Sequence, residues 1–173
     1  CKLYYKGRGK GGVVLHSAED VQRVVDTYAS TLLRTAFSLM KNRSDAEDMV
    51  QEALLKYMEK APEFETPQHE RAWLIRVTVN LCRNRQNTAW FRKTVPLDES
   101  IPALESEESH VLAAVLALPK KYRTVIHLYY YEGYSVADIA QILGRKQNTV
   151  LSQMSRARNL LKQSLKEEFD ELR

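Results

Sequence analysis

Between positions 134 and 158, three local signals follow one another. Ser135 with Asp138 forms an S-x-x-D capping pair that opens a short apolar helical stretch, 136–143. Gly144 then supplies the positive φ that a tight turn needs. A second helical stretch carries Val150, Met154, Ala157, Leu160 and Leu161 at i, i+4, i+7, i+10 and i+11, with polar and basic residues between them. This is the pattern of a helix-turn-helix, whose second helix enters the DNA major groove. Thr149 and Ser152 could bond phosphates or bases, and Arg156, Arg158 and Lys162 suit phosphates. The bland alternative is a helical hairpin with a solvated basic face. The cap, the glycine turn and the shortness of the first helix favour DNA binding.

Two other segments carry polar chemistry. Positions 71–93 interleave Trp73, Trp90 and Phe91 with Arg76, Arg83, Arg85, Arg92 and Lys93, plus Asn80, Asn84, Gln86 and Asn87. Cations among aromatics and amides suit single-stranded DNA, where bases stack and phosphates are neutralised. Trp73 itself is expected to be a core residue of a helical bundle, Trp90 less so. Asp45, Glu47, Asp48, Gln51 and Glu52 cluster on a helical stretch that also has an apolar stripe. Carboxylates do acid–base work only in a pocket that perturbs them, and nothing here implies one. A solvated face or a docking surface for a basic partner is the simpler reading. Two motifs are decoys. Gly7, Gly9 and Gly12 fit G-x-G-x-x-G, but no strand precedes them and no kinase signature follows. His69-Glu70 begins H-E-x-x-H, yet Trp73 stands where the second histidine belongs. No metal site, cofactor, catalytic group or small-molecule substrate is expected.

The elements that must position these residues are helical. The chain has 173 residues, 20.0 kDa, with 44% hydrophobic and 28% charged residues, as in a soluble globular protein. Its longest apolar run, 111–118, is far shorter than the ~18 residues of a membrane span, and no secretory signal is evident. Cys1 and Cys82 cannot build a disulfide framework or a four-ligand zinc site by themselves. The expected location is therefore the cytoplasm. The formal charge of +4 is unevenly spread. Positions 45–70 hold eight acids and two lysines, 71–93 six basic residues and no acid, 95–107 four acids and no base, and 120–166 nine basic residues against Glu132 and Asp138. Two basic blocks flanking an acidic segment suggest two contacts with a polyanion.

Helical spacing runs from Ser17, a capping residue with Asp20, through Val24, Tyr28, Leu32, Ala36 and Leu39. Ser44 is the expected cap of the next helix, through Glu47. Positions 62–67 read as a loop, and a third helix is expected from about Glu70. Helices follow from about Ser106 to Leu118 and from Pro119 to Tyr131. The fold class is all-α: two small helical domains joined by a linker, the second containing the helix-turn-helix. The expected limits are 1–12 for a flexible basic arm, 13–94 for the first domain, 95–107 for an acidic linker and 108–173 for the second domain.

Four motifs in this order resemble the extracytoplasmic-function (ECF) sigma factors, of the sigma-70 family of RNA polymerase subunits. They are Asp45-Ala46-Glu47-Asp48-Met49-Val50-Gln51-Glu52, Trp73-Leu74-Ile75-Arg76-Val77-Thr78-Val79-Asn80, Leu118-Pro119-Lys120-Lys121-Tyr122-Arg123, and Tyr134-Ser135-Val136-Ala137-Asp138-Ile139-Ala140 continuing through Gly144, Thr149-Val150 and Ser155-Arg156-Ala157-Arg158. The resemblance spans about residues 17–165. It implies that Asp45, Glu47, Asp48, Gln51 and Glu52 grip the beta-prime clamp helices of core RNA polymerase. It implies that Phe64, Trp73, Arg76, Asn80, Arg83, Asn84 and Arg85 read the minus-ten element, capture a flipped base and hold the melted non-template strand. It implies that Arg145, Lys146, Thr149, Leu151, Ser152, Gln153, Ser155, Arg156 and Arg158 bind the minus-thirty-five duplex, with this domain also docking on the beta flap. The linker would thread toward the polymerase active site. An anti-sigma factor, often membrane-anchored, would hold the protein inactive, in some cases at the inner face of the membrane.

The sequence departs from the family at three places. The recognition helix reads Thr149-Val150-Leu151-Ser152-Gln153-Met154 where T-V-K-S-R-L is common, so two cations are missing and phosphate binding weakens. Arg145 and Lys146 stand in the turn instead, and an unusual promoter sequence is implied. Asn84 occupies a position where aspartate is frequent. The arm before Val13 lies outside the resemblance. Three functions are weighed from sequence: a promoter-directing sigma factor, which leads; a stand-alone helix-turn-helix regulator that binds duplex DNA without polymerase; and an enzyme, which rests only on the glycine-rich arm and scattered histidines.

Overall fold

A computed structural model describes residues 17–87 and 107–171, and the side chains within them up to Lys166 except those of 107–110. The expected arm at 1–12, positions 95–106 of the linker, and Trp90, Phe91, Arg92 and Lys93 lie outside the described residues. Those described are helical with no strand, and they build two compact units.

The first unit is three helices. α1 (Ala18–Met40) starts at the predicted capping box: the Asp20 N–H donates to Ser17 Oγ at 3.1 Å, and the Ser17 N–H donates back to Asp20 Oδ2 at 3.0 Å. It ends at Lys41 in the left-handed region, φ 58°, whose N–H reaches the Phe37 carbonyl. α2 (Arg43–Lys60) is capped by Asn42, not by the expected Ser44. The Asn42 side chain accepts from the Asp45 N–H at 2.9 Å. Asparagine caps as well as serine. Because α1 closes at Lys41, the chain can turn directly into α2, which brings Ser44 inside the first turn.

α3 (Pro67–Asn87) begins three residues before the expected Glu70. Pro67 suits the first helical position because its missing N–H is an orphan there. Thr66 stands before it, its hydroxyl accepting from the His69 N–H at 3.2 Å. Val24, Leu32, Ala36 and Leu39 of α1, Ala46, Met49 and Ala53 of α2, and Leu74, Ile75, Val79 and Cys82 of α3 form the closed core. Their spacing is the i, i+3/i+4 repeat expected of helices packed on one face.

The other described elements are α4 (Glu107–Ala117), α5 (Lys120–Ile126), a π-helical turn (His127–Tyr131), α6 (Val136–Leu143) and α7 (Gln147–Glu171), and all of them but residues 141–143 fall in the second unit. Arg123 is buried between α4 and α5 and donates from Nη1 to the Leu116 and Leu118 carbonyls at 2.7 and 2.8 Å. A cation there satisfies carbonyls that the end of α4 leaves open. Burial pushes its guanidinium down to about 10. Val115, Leu118, Tyr122 and Ile126 close on Ala157 of α7, with Leu161 beside them.

α6 begins at the predicted pair: the Asp138 N–H donates to Ser135 Oγ at 3.2 Å, and the Ser135 hydroxyl donates to Asp138 Oδ2 at 2.6 Å. Ser135→Ala is expected to lower the stability of this unit by about 1 kcal/mol, read as a lower midpoint in urea unfolding, while Ser135→Asn leaves it near wild type.

Candidate docking and nucleic-acid faces

On α2 the closed side is Ala46, Met49, Val50, Ala53 and Tyr57. Asp48, Gln51, Leu55 and Met58 are exposed and follow one another at three- and four-residue steps, so they form one stripe on the opposite side. Leu55 is 56% and Met58 41% exposed, two large apolar side chains open to solvent one turn apart on the same helix. Charge on this helix is partly answered within the unit. Arg43 Nε bonds Glu47 at 2.8 Å, Lys56 Nζ stands 3.6 Å from Glu52, and Arg85 Nη2 lies 3.7 Å from Asp45 and 4.0 Å from Asp48. Exposed pairs of this kind contribute little to stability, and the carboxylates stay open to a basic partner. Beside the stripe, Ala29, Leu33 and Val50 floor a shallow groove of about 240 Å³ with Glu47 and Gln51 on its rim. Sequence reasoning found the acids and missed Leu55 and Met58. Their spacing from Asp48 and Gln51 was the available signal.

On α3, Trp73, Arg76, Asn80, Arg83 and Asn84 share one side, and Arg76, Asn80 and Asn84 are exposed. Arg85 does not share it, because it reaches the first turns of α2. Gln86 also turns inward, donating to the Leu39 carbonyl at 2.7 Å. Trp73 packs edge-on to Tyr57 and Phe64, with ring centroids at 6.3 and 5.9 Å, and Phe64 stacks on Tyr57 at 6.3 Å. Trp73 and Phe64 are therefore both half-buried members of one aromatic cluster.

Beneath that cluster, Glu70 is nearly closed to solvent. Arg23 holds it with two bonds of 2.8 and 2.9 Å, and the Tyr57 hydroxyl donates to it at 2.8 Å. Arg23 beside it keeps the Glu70 carboxyl below its ordinary value against the effect of burial. Burial and the Glu70 charge push the Tyr57 phenol up. A cleft of about 480 Å³ opens here, between Asp20, Arg23 and Tyr57 on one side and Phe64, Glu65 and Thr66 on the other. The loop before α3 thus borders a cavity with an aromatic wall and carboxylates at its mouth.

On α7, Val150, Met154 and Ala157 face inward. Asn148, Thr149, Leu151, Ser152, Ser155, Arg156 and Arg158 are exposed. Gly144 takes φ +62° in the turn, and the Arg145 N–H closes α6 onto the Ala140 carbonyl at 2.8 Å. Lys146 is exposed, whereas Arg145 Nη1 is engaged with Gln153 Oε1 at 2.7 Å. The two residues expected to meet DNA separately are bonded to each other. A cleft of about 300 Å³ runs between Lys121 and Tyr122 of α5 and Asn148, Thr149, Ser152 and Arg156 of α7. Arg156, and after it Lys121, lower the Tyr122 phenol. Lys121 and Tyr122 stood in the third sequence motif without a DNA role, and Asn148 of α7 was passed over beside Thr149; only the packing of α5 against α7 brings the three to one cleft. On the other flank, Arg158 meets Tyr130 of the π-helical turn.

Residues 24–92 match sigma-70 region 2, and residues 110–161 match sigma-70 region 4. The ECF sigma factor SigL of Mycobacterium tuberculosis is 33% identical over 168 residues, covering 90% of this chain and 94% of SigL. The chain belongs to the ECF RNA polymerase sigma factors. SigV of Bacillus subtilis is 31% identical over 145 residues, covering 78% of the chain and 84% of SigV. Among solved structures, the sigma factor RpoE of Bartonella quintana, in complex with the anti-sigma factor NepR, aligns with TM-score 0.70 at 27% identity, over 86% of this chain and 98% of RpoE. CnrH shares the fold, with TM-score 0.64 at 23% identity over 87% of this chain and 90% of CnrH. The α2 and α3 faces of this sigma factor fall in the region-2 match, and its helix-turn-helix falls in the region-4 match. The family is one of transcription-initiation factors, and this ECF sigma factor is an alternative sigma subunit. Among its described residues, no helix is long and apolar enough to cross a membrane, and no group of side chains could hold a metal ion.

Proposed function

We propose that the chain divides promoter work among three faces. The α2 stripe of Asp48, Gln51, Leu55 and Met58, with Asp45, Glu47 and Glu52 around it, docks on the beta-prime clamp helices of core RNA polymerase. Phe64, Trp73, Arg76, Asn80, Arg83 and Asn84 engage the minus-ten element and hold the melted non-template strand, the cleft at the Phe64 loop taking a flipped base. Arg85, bridging Asp45 and Asp48, orders the acidic turn for docking and is not a direct DNA contact. The exposed strip of α7 enters the minus-thirty-five major groove. Arg156 works there with Lys121 and Tyr122 on one phosphate track, Leu151 offers apolar contact to thymine methyls, and Ser152 and Ser155 meet base edges. Lys146 and Thr149 meet the backbone where the two family cations are missing.

The observation that carries this reading is the separation of faces within one chain. A carboxylate-and-apolar stripe lies on α2, and arginine–amide faces lie on α3 and α7. Bond chemistry then belongs to the polymerase, and this chain supplies address and strand opening without a catalytic site of its own. Residues 1–12 act as the arm, 13–94 and 108–173 as the two working domains, and 95–107 as the linker between them. The protein works in the cytoplasm, and an anti-sigma factor restrains it by covering the faces that polymerase needs. The capture of a similar sigma factor by NepR supports that last point.

Separate assays test the division. Arg156→Ala is expected to leave core binding unchanged and to weaken holoenzyme binding to its promoter about tenfold. Asp48→Ala with Gln51→Ala is expected to do the reverse. Equal losses by both changes in both assays would overturn the division of labour.

A further inference from the structure

Arg158 is exposed on α7, yet it is not a free side chain. Its Nε donates to the Tyr130 hydroxyl at 3.0 Å, and its guanidinium carbon lies 5.9 Å from the ring centroids of both Tyr129 and Tyr130. The two rings belong to consecutive residues and stand 5.0 Å apart at 77°. In a regular α-helix, neighbouring side chains diverge and do not face one another. Here the backbone is wider: the Glu132 N–H bonds the His127 carbonyl five residues back, and the Tyr134 N–H bonds the Leu128 carbonyl. The inner side of the turn is fixed. Leu128 is closed to solvent, His127 stacks on Tyr131 at 5.5 Å, and His127 Nε2 lies 3.3 Å from the buried Glu132 carboxylate. The turn therefore holds two tyrosines outward against one arginine.

We propose that Tyr130, with Tyr129 beside it, is a positioning residue that presents Arg158 to a phosphate of the minus-thirty-five duplex. The chemistry fits. A guanidinium has five N–H donors, and a bidentate phosphate contact uses those on the two Nη groups. The Tyr130 hydroxyl occupies only the Nε–H, and the two ring centroids stand 5.9 Å from the guanidinium carbon. A long, rotamer-rich side chain is then ordered before DNA arrives, so less entropy is lost on binding. The π-helical turn makes this a device of the fold, since a regular helix would not put both rings on one cation. The proposal rests on Arg158 being a DNA contact, which the same experiment tests by itself.

The test is a double-mutant cycle on holoenzyme, using a promoter duplex that the wild-type holoenzyme selects from a randomised pool. Arg158→Ala is expected to weaken binding about tenfold and to reduce the slope of log affinity against log salt by about 0.9, one phosphate. Tyr130→Phe keeps the ring and is expected to weaken binding roughly threefold to tenfold in the wild-type background. In the Arg158→Ala background, the same change is expected to have no effect. A tyrosine that merely supports the fold would weaken both backgrounds alike, and that result overturns the proposal. So does a silent Tyr130→Phe beside a damaging Arg158→Ala. If Arg158→Ala changes neither affinity nor salt slope, the assignment of Arg158 to DNA fails, and the proposal falls with it.

Discussion

Replacing Arg23 with alanine is expected to destabilise the first unit by about 3 kcal/mol, the low end for breaking a buried ion pair. The low end applies because Arg23 is half exposed while Glu70 is 6% exposed, so solvent already screens one partner. The substitution leaves a buried carboxylate without the guanidinium that neutralises it. A pH signature separates this from a simple packing loss. In the native protein the Glu70 carboxyl is held below its ordinary 4.5, first by Arg23 and then by Tyr57. A depressed acid contributes stability that is present above its unfolded value and lost as the pH falls through its folded value. The native unit therefore weakens on acidification below about pH 4.5. Without Arg23 the carboxyl loses the largest influence that lowers it while burial still raises it, so the stability lost on acidification shrinks. Thermal unfolding of the full chain across the acid range reads both effects. A loss below about 1 kcal/mol with an unchanged acid profile would mean that Arg23 is only a surface partner.

The double change Leu55→Ala, Met58→Ala is expected to weaken binding to core RNA polymerase by about 2–3 kcal/mol, roughly 30- to 150-fold. Both side chains are exposed, so their loss should leave stability within about 0.5 kcal/mol. Buried at an interface, each contributes through apolar area removed from water. The carboxylates around them steer and orient the partner more than they add affinity. Glu52→Gln is accordingly expected to do much less, since Lys56 already stands 3.6 Å from that carboxylate. Core binding measured by titration, with unfolding curves in parallel, decides the point. Undiminished affinity in the double variant would remove α2 from the docking role.

These two sites differ in how far the sequence revealed them. Periodicity located α1 and most of its core because Val24, Leu32, Ala36 and Leu39 repeat at helical spacing. The capping boxes at Ser17 and Ser135 were legible because each needs only residues three apart. Asn42 displaced Ser44 because two good caps stood two residues apart and the end of α1 decided between them. Pro67 read as part of a loop until Thr66 supplied its cap. Long-range pairings left no local trace. Arg23 reaches Glu70 across 47 positions, Gln86 caps α1 across the same span, and Arg85 leaves the α3 face for α2. Arg123 read as one more cation of a basic block, although it is buried as the C-terminal cap of α4. The helix-turn-helix was legible as a unit. Which of its cations are already engaged depended on side chains from another helix, Tyr122 and Tyr130 among them.

The central claim is that this chain directs core RNA polymerase to promoters. The most direct test supplies core polymerase, with and without the full chain, with a library of genomic fragments and maps the transcript starts. The account predicts discrete starts that appear only with the protein and share two upstream elements at fixed spacing. Failure to bind core polymerase, or starts identical to those of core polymerase alone, would contradict it.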